Sequence, residues 1–219
     1  MCNLYSQTKG VAAIRAIVKG FERGRELNFP PLPAIFPDGV APVVTRDPET
    51  SERALEMMRW GFPPPPNVPG GRAVTNVRNT ASNYWKPSLK TGQRCLVPVT
   101  AFCEYQDGSK VPTWFARPAQ GDDQRPLFFF AGVSRKWTGT RGTKKDPVEG
   151  EHLLYSFLTI EPNAVVAPVH AKAMPVMLID AAMCDQWLDG TPEEALKLQV
   201  SAPEDWLTIV SRGTRKDEG

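Results

Sequence analysis

The stretch Cys95-Leu96-Val97-Pro98-Val99-Thr100-Ala101-Phe102-Cys103-Glu104-Tyr105-Gln106-Asp107-Gly108 decides the reading of the fold. Its apolar, β-branched and aromatic residues predict strands over Cys95–Val99 and Phe102–Gln106, read as one bent strand. Asp107-Gly108 is a hairpin turn signal, and Pro112–Ala116 returns beside it. Downstream, Leu127–Val133, Leu153–Ile160 and Met174–Ile179 are continuous apolar runs of strand length. Between the first two lies Ser134–Glu151, rich in Gly, Lys and Thr, which reads as a long mobile loop.

Towards the amino terminus, Ser6 or Thr8 is a cap for a short helix with Val11, Ile14, Val18 and Phe21 at helical spacing and Gly20 near its end. The prolines at 30, 31, 33, 37, 42 and 48 exclude a helix from Asn28 to Pro48 and leave one edge strand at Val40–Val44. Pro63–Pro66 reads as a stiff extended surface segment. Late in the chain Asp180 caps a helix carrying Met183, Trp187 and Leu188, and Thr191-Pro192-Glu193-Glu194 has a capping-box pattern. Trp206–Val210 reads as a last strand, and residues 212–219 as a frayed polar tail. These elements predict an α+β fold. It is a single domain over residues 1–211, with a mainly antiparallel, barrel-like β core and peripheral short helices.

The chain has 219 residues, 41% hydrophobic and 23% charged, which suits one globular domain with a substantial core. A formal charge of +2 permits a nucleic-acid partner without demanding one. No apolar run approaches the roughly 18 residues of a membrane span. The opening Met1-Cys2-Asn3-Leu4-Tyr5 lacks a basic stretch and apolar segment, so a cytoplasmic monomer is expected. Four cysteines and two histidines, without a CxxC pair, argue against a disulfide framework or a zinc site, and no metal or cofactor is expected. Cys95, Cys103 and Cys184 read as buried thiols.

Cys2 differs chemically from these. If Met1 is removed, it carries a free α-amine and a thiol on adjacent carbons. With an aldehyde the amine forms a Schiff base, and the thiol then adds to the imine carbon to close a thiazolidine. That second step is intramolecular and gains a large effective concentration. Both groups have reactive fractions near neutral pH, with reference pKa values of about 7.7–8.0 and about 8.5.

Behind Cys2 come Arg59-Trp60-Gly61-Phe62-Pro63, Asn76-Val77-Arg78, Arg94-Cys95-Leu96-Val97-Pro98, Phe102-Cys103-Glu104-Tyr105, and His170 shortly before Met174-Pro175. This ordered set, from Cys2 to about Trp187, resembles the SRAP (SOS-response-associated peptidase) family, whose members crosslink covalently to abasic sites in single-stranded DNA. The resemblance implies that Cys2 is the nucleophile, with Asn76 holding the linkage and the opened sugar. It implies that Glu104 manages protons during ring opening and Schiff-base formation, and that His170 assists ring opening and reversal. Arg78 matches a phosphate contact, a task that suits a guanidinium fork. The residue types agree with the chemistry, because a closed hemiacetal must be opened by moving a proton, for which a carboxylate and an imidazole are suited.

The implied DNA side comprises Arg78, Asn3, Trp60 and Pro64. Trp60 reads more as a core residue than as a DNA contact. The family's usual Gly-Arg after the cysteine is replaced here by Asn3 and Leu4, and its aromatic residues after Trp-Gly by Pro64, Pro65 and Pro66. Arg15, or the basic group Arg135, Lys136, Arg141, Lys144 and Lys145, is a substitute for the missing arginine. The expected partner is single-stranded DNA containing abasic sites, in a DNA-damage (SOS) response, with self-removal of Met1 and lyase cleavage as side activities. Other readings of Cys2 are an amino-terminal-nucleophile hydrolase or amidotransferase, a cysteine peptidase, and an incidental residue in a non-covalent single-stranded-DNA binding module.

Overall fold

The computed structural model describes residues 2–66, 68, 73–143 and 145–217, without the side chains of Phe21 and Glu22. In chain order the elements are β1 (Tyr5–Gln7), α1 (Val11–Ile17), β2 (Phe21–Arg23), β3 (Leu32–Ile35), β4 (Val40–Arg46), β5 (Arg53–Trp60), β6 (Asn76–Val77), β7 (Arg94–Val99) and β8 (Ala101–Tyr105). They continue with β9 (Pro112–Ala116), β10 (Phe128–Thr143), β11 (Asp146–Ile160), β12 (Met174–Pro175), β13 (Met177–Leu178), α2 (Ala181–Asp189), α3 (Pro192–Leu196) and β14 (Thr208–Arg212).

Neighbouring strands β5, β4, β7, β10 and β11 pair antiparallel in that order. A parallel pairing of β11 with β5, Leu154 opposite Arg59 and Tyr155 opposite Trp60, closes the ring into a five-stranded barrel. A second sheet, ordered β14-β9-β8-β1-β3, packs against it. The expected α+β class with a barrel-like antiparallel core and peripheral short helices is what is found. The expected bend is real and sits at Thr100: β7 belongs to the barrel and β8 to the second sheet. The Thr100 N–H donates to the Ser6 carbonyl at 2.9 Å, tying the corner to β1.

The continuous apolar runs follow from two-sided burial. Cys95, Val97, Phe128, Phe130 and Phe157 pack with Tyr5, Phe102 and Phe115 in one core. Their neighbours Leu96, Phe129, Ala131 and Leu158 face a second core with Ile14, Val18, Trp187 and Leu188 from the helices. The late helix signals hold: Asp180 accepts from the Met183 N–H, and Thr191 and Glu194 form a reciprocal capping box.

Several expectations are corrected. Ser134–Glu151 is no loop but the extended end of the β10–β11 hairpin, paired from Ser134 opposite Tyr155 to Thr143 opposite Asp146. Tertiary anchors explain this: Arg141 donates to Asp38, and the Arg135 guanidinium lies 4.4 Å over the Phe62 ring. β4 is no edge strand, since it lies between β5 and β7; Pro42 is tolerated because β7 pairs only with Val44 and Thr45. α1 stops at Ile17, and Phe21 begins a strand parallel to β5. Its N-cap is Gly10, while Ser6 sits in β1. The last strand begins at Thr208 after a 3₁₀ turn over Glu204–Trp206. The tail is pinned, because buried Asp217 accepts from Ser6 Oγ at 2.8 Å and pairs with Arg125.

Buried Arg94 fastens α2 to the barrel. Its guanidinium donates to the carbonyls of Leu89 (2.6 Å), Trp187, Leu188 and Gly190. Three of these carbonyls end α2, where a cation also meets the negative end of the helix dipole. Arg94→Met therefore lowers unfolding stability by roughly 3 kcal/mol or more, measured by urea denaturation. Arg94→Lys recovers only part, because an ammonium cannot span four carbonyls.

Candidate active site

The first strand carries residue 2 to the site. β1 lies between β8 and β3, with Tyr5 opposite Phe102, and the Cys103 N–H donates to the Leu4 carbonyl at 2.9 Å. That register lays the residues before Tyr5 along the Glu104 end of β8. Cys2 is wholly buried, and its Sγ donates to the Leu4 carbonyl at 3.5 Å. Asn76, on β6 beside Phe157 of β11, reaches in from the barrel, and its Nδ2 donates to the Cys2 carbonyl at 2.9 Å. The same amide nitrogen donates to Thr75 Oγ1 at 2.7 Å, and Thr75 Oγ1 donates to Asn3 Oδ1 at 3.4 Å. Asn76 Oδ1 is buried and has no hydrogen-bond partner among the described residues.

Glu104 is 2% exposed. Burial pushes its carboxyl up to about 8, so it is largely protonated at neutral pH. His170 places Nε2 3.9 Å from Glu104 Oε2, and its Nδ1 lies 3.6 Å from Asp107 Oδ1. Partial burial lowers the imidazole, and the Asp107 charge opposes that shift. Burial, then the Glu104 charge, push the Cys2 thiol well up, so the resting sulfur is a neutral thiol.

The loop presenting His170 is built by Asn163. Its Oδ1 accepts from the N–H groups of Val165 and Val166, and its Nδ2 donates to the Ala202 carbonyl at 3.0 Å. The His170 N–H then closes on the Val166 carbonyl.

Cys2, Asn76, Glu104 and His170, far apart in sequence, are thus brought to one place. Arg78 is exposed on the same rim, where it pairs with Glu161 and donates to the Lys172 carbonyl, two residues beyond His170. Asn3 is exposed beside Cys2, and Pro64 is half-buried at the start of the proline run. Trp60 corrects the DNA-contact expectation: it is wholly buried, stacks on Tyr155 and Phe157, and donates its indole N–H to the Thr75 carbonyl. It is core, and bears on the site through Thr75, next to Asn76, and through Tyr5 of β1.

Of the proposed basic substitutes, Arg141 and Arg135 are held by Asp38 and by Phe62 and Tyr84, whereas Arg15, Lys136 and Lys145 are exposed. Lys144 lies outside the described residues, as does Met1. Among the described residues no cluster of three or more His, Cys, Asp or Glu is placed to hold a metal ion, and no helix is long and apolar enough to cross a membrane.

Sequence reasoning missed Asp107, Thr75 and Asn163. Asp107 was explained by its hairpin turn, and Asn163 sits in a loop without periodicity. Only the pairing of strands distant in sequence brings them to the site.

Comparisons with known proteins bear on the family and the fold. The family model for SOS response associated peptidase (SRAP) matches residues 1–213. Abasic site processing protein HMCES of Gallus gallus is 29% identical over 183 residues, 71% of this chain and 52% of its own length. The protein of the same name from Xenopus tropicalis is 27% identical over 180 residues, 70% of this chain and 51% of its own length. The chain thus spans about half the length of these relatives. A crystal structure of a protein from Bordetella bronchiseptica superposes with a TM-score of 0.71 at 21% identity, covering 96% of this chain and all of that one. One from Bacteroides thetaiotaomicron gives 0.67 at 18% identity, over 96% and 92% of the two chains. At such identities the likeness is one of fold. With the family model matched over nearly its whole length, the chain belongs to the SOS response associated peptidase (SRAP) family.

Proposed function

We propose that this protein binds single-stranded DNA at abasic sites and closes a thiazolidine between Cys2 and the ring-opened sugar. The observation that carries the reading is the convergence of Asn76, Glu104 and His170 on a cysteine that becomes the chain's first residue once Met1 is removed. The relatives named abasic site processing proteins agree with it.

The electrostatics set the order of events. The thiol is held neutral by burial, whereas an α-amine has a reference pKa of about 7.7–8.0. The amine therefore attacks first. Its nitrogen bonds to C1′ of the open aldehyde to give a carbinolamine. The protonated Glu104 gives its proton to the departing hydroxyl, water leaves, and the protonated imine forms. Cys2 Sγ then bonds to C1′ as the C=N electron pair returns to the nitrogen, which keeps its hydrogen, and the thiol proton goes to the Glu104 carboxylate. The sum is one new C–N bond, one new C–S bond and one water released. A carboxyl with a pKa near 8 suits both halves of that cycle. Asn76, which does not titrate, holds the Cys2 backbone while the ring closes.

Mixing mature protein with single-stranded DNA carrying one abasic site should give a heat- and denaturant-resistant adduct. Cys2→Ala should abolish it and leave at most a Schiff base, trapped only on reduction. A full-yield stable adduct in Cys2→Ala contradicts the thiazolidine. Binding without any adduct in the wild type favours a non-covalent module, and Cys2-dependent ammonia release from glutamine favours an amidotransferase.

Glu104 also makes a prediction about stability. Its carboxyl ionises near 4.5 ordinarily and near 8 in the fold, so the folded chain holds a proton that the unfolded chain releases between those values. This contribution is intact below the lower value and is lost as pH rises through the upper one. Glu104→Gln should match wild-type stability at about pH 5 and exceed it by on the order of a few kcal/mol at about pH 9. Thermal melts at the two pH values read this directly.

A further inference from the structure

His170 has two ring nitrogens facing two carboxyl groups of opposite character. Nε2 faces Glu104, which is buried and largely protonated. Nδ1 faces Asp107, whose side chain is 47% exposed. The Ala171 N–H bond to Asp107 Oδ2 chiefly keeps this carboxyl below its ordinary range, so it is ionised. We propose that Asp107 is the positioning residue of the site: it holds the proton of neutral His170 on Nδ1, so that the Nε2 lone pair faces the Glu104 carboxyl.

The backbone is built for this. The Asp107 N–H donates to the Val169 carbonyl at 2.8 Å, and Asp107 Oδ2 accepts from the Ala171 N–H at 3.3 Å. These two bonds bracket His170 on both sides and fix the loop against the β8–β9 turn. The turn is fixed in its own right: Gln106 donates to the Val111 carbonyl and Lys110 to the Gln106 carbonyl, with Gly108 at φ 86. The 3.6 Å between Nδ1 and Oδ1 is an ion-pair separation that one water can bridge. An imidazole tautomer is set by the partner of its other nitrogen.

The arrangement gives buried Glu104 a proton acceptor in contact with solvent. Nε2, 3.9 Å from Glu104 Oε2, is then a relay for proton exchange between Glu104 and solvent outside the dehydration step, and the transient imidazolium's Nδ1–H faces the Asp107 carboxylate. Titratable and charged groups acting on His170 include Glu104 from β8, Asp107 from the turn and Lys172 from its own loop. Asp107 faces Nδ1. Asp107 touches no reacting atom, and its effect on rate runs through His170.

The role in catalysis rests on the proposed function; the tautomer does not. With two histidines in the chain, a His152→Gln background leaves one imidazole to follow by ¹⁵N NMR. In the intact protein at a pH where His170 is neutral, the Nδ1–H tautomer should predominate. In Asp107→Asn the population should move towards Nε2–H, and Asp107→Glu should restore it in part. Melting temperatures should stay together, because Asp107 is a surface turn residue. The adduct rate with abasic single-stranded DNA should fall roughly 10-fold in Asp107→Asn, and its pH profile should shift, with partial recovery in Asp107→Glu. An unchanged tautomer population in Asp107→Asn overturns the proposal, as does an unshifted pH–rate profile. If the wild type forms no adduct, the proposed function fails and the tautomer result alone decides the role of Asp107.

Discussion

β1 is only three residues long, yet it is the middle partner of β8 and β3 in the second sheet, and the site depends on that pairing. The first residues of a chain ordinarily fray. Here Leu4, Tyr5, Ser6 and Gln7 are buried, the Leu4 carbonyl accepts from Cys103, and Asn76 from the barrel holds the Cys2 carbonyl. A nucleophile on a terminus gains from proximity only if the terminus is held in place. β1 supplies that hold, and its partner β8 supplies Glu104. The same strand pair therefore positions both Cys2 and Glu104, the nucleophile and acid of the proposed reaction.

Burial produces the chemistry as well as the geometry. The barrel and the second sheet exclude water from around Cys2 and Glu104, and both groups respond by favouring their neutral forms. A neutral thiol and a protonated acid are what the proposed amine-first reaction needs. Exposed Asp107 and Arg78 form the rim beside the largely buried His170, where charge is solvated and an anionic backbone can approach. Tyr5 and Tyr155 share a hydroxyl–hydroxyl hydrogen bond in the core beside this group, with both phenols held neutral by burial. The interior of the site thus carries polar atoms without fixed charge.

Much of the fold was legible in the sequence because local patterns and tertiary demands agree there. Asp107-Gly108 turns the chain as its residues require, and the double-sided burial of β7 and β10 appears as unbroken apolar runs. The β10–β11 extension was illegible, since its Gly, Lys and Thr residues favour a loop, and contacts to Asp38, Phe62 and Tyr84 from elsewhere in the chain help hold it as a ribbon. The tail misled for the same reason, its order resting on Asp217 against Ser6 and Arg125. For the site, residue types and motif order were enough to single out Cys2, Asn76, Glu104 and His170. Their meeting point was not, because it is fixed by β1 on β8 and β6 on β11. Trp60 shows where the resemblance outran the residue: it implied a DNA contact, whereas size and aromaticity, which favoured the core, decide.

The central claim is that one residue supplies both nucleophilic atoms. Intact-mass and tandem mass spectrometry of the adduct with an abasic oligonucleotide test it most directly. The account predicts a mass equal to the chain without Met1 plus the DNA less one water, with the modification on Cys2 and its thiol no longer alkylated. An adduct that retains Met1, maps to a lysine, or leaves the Cys2 thiol free contradicts it.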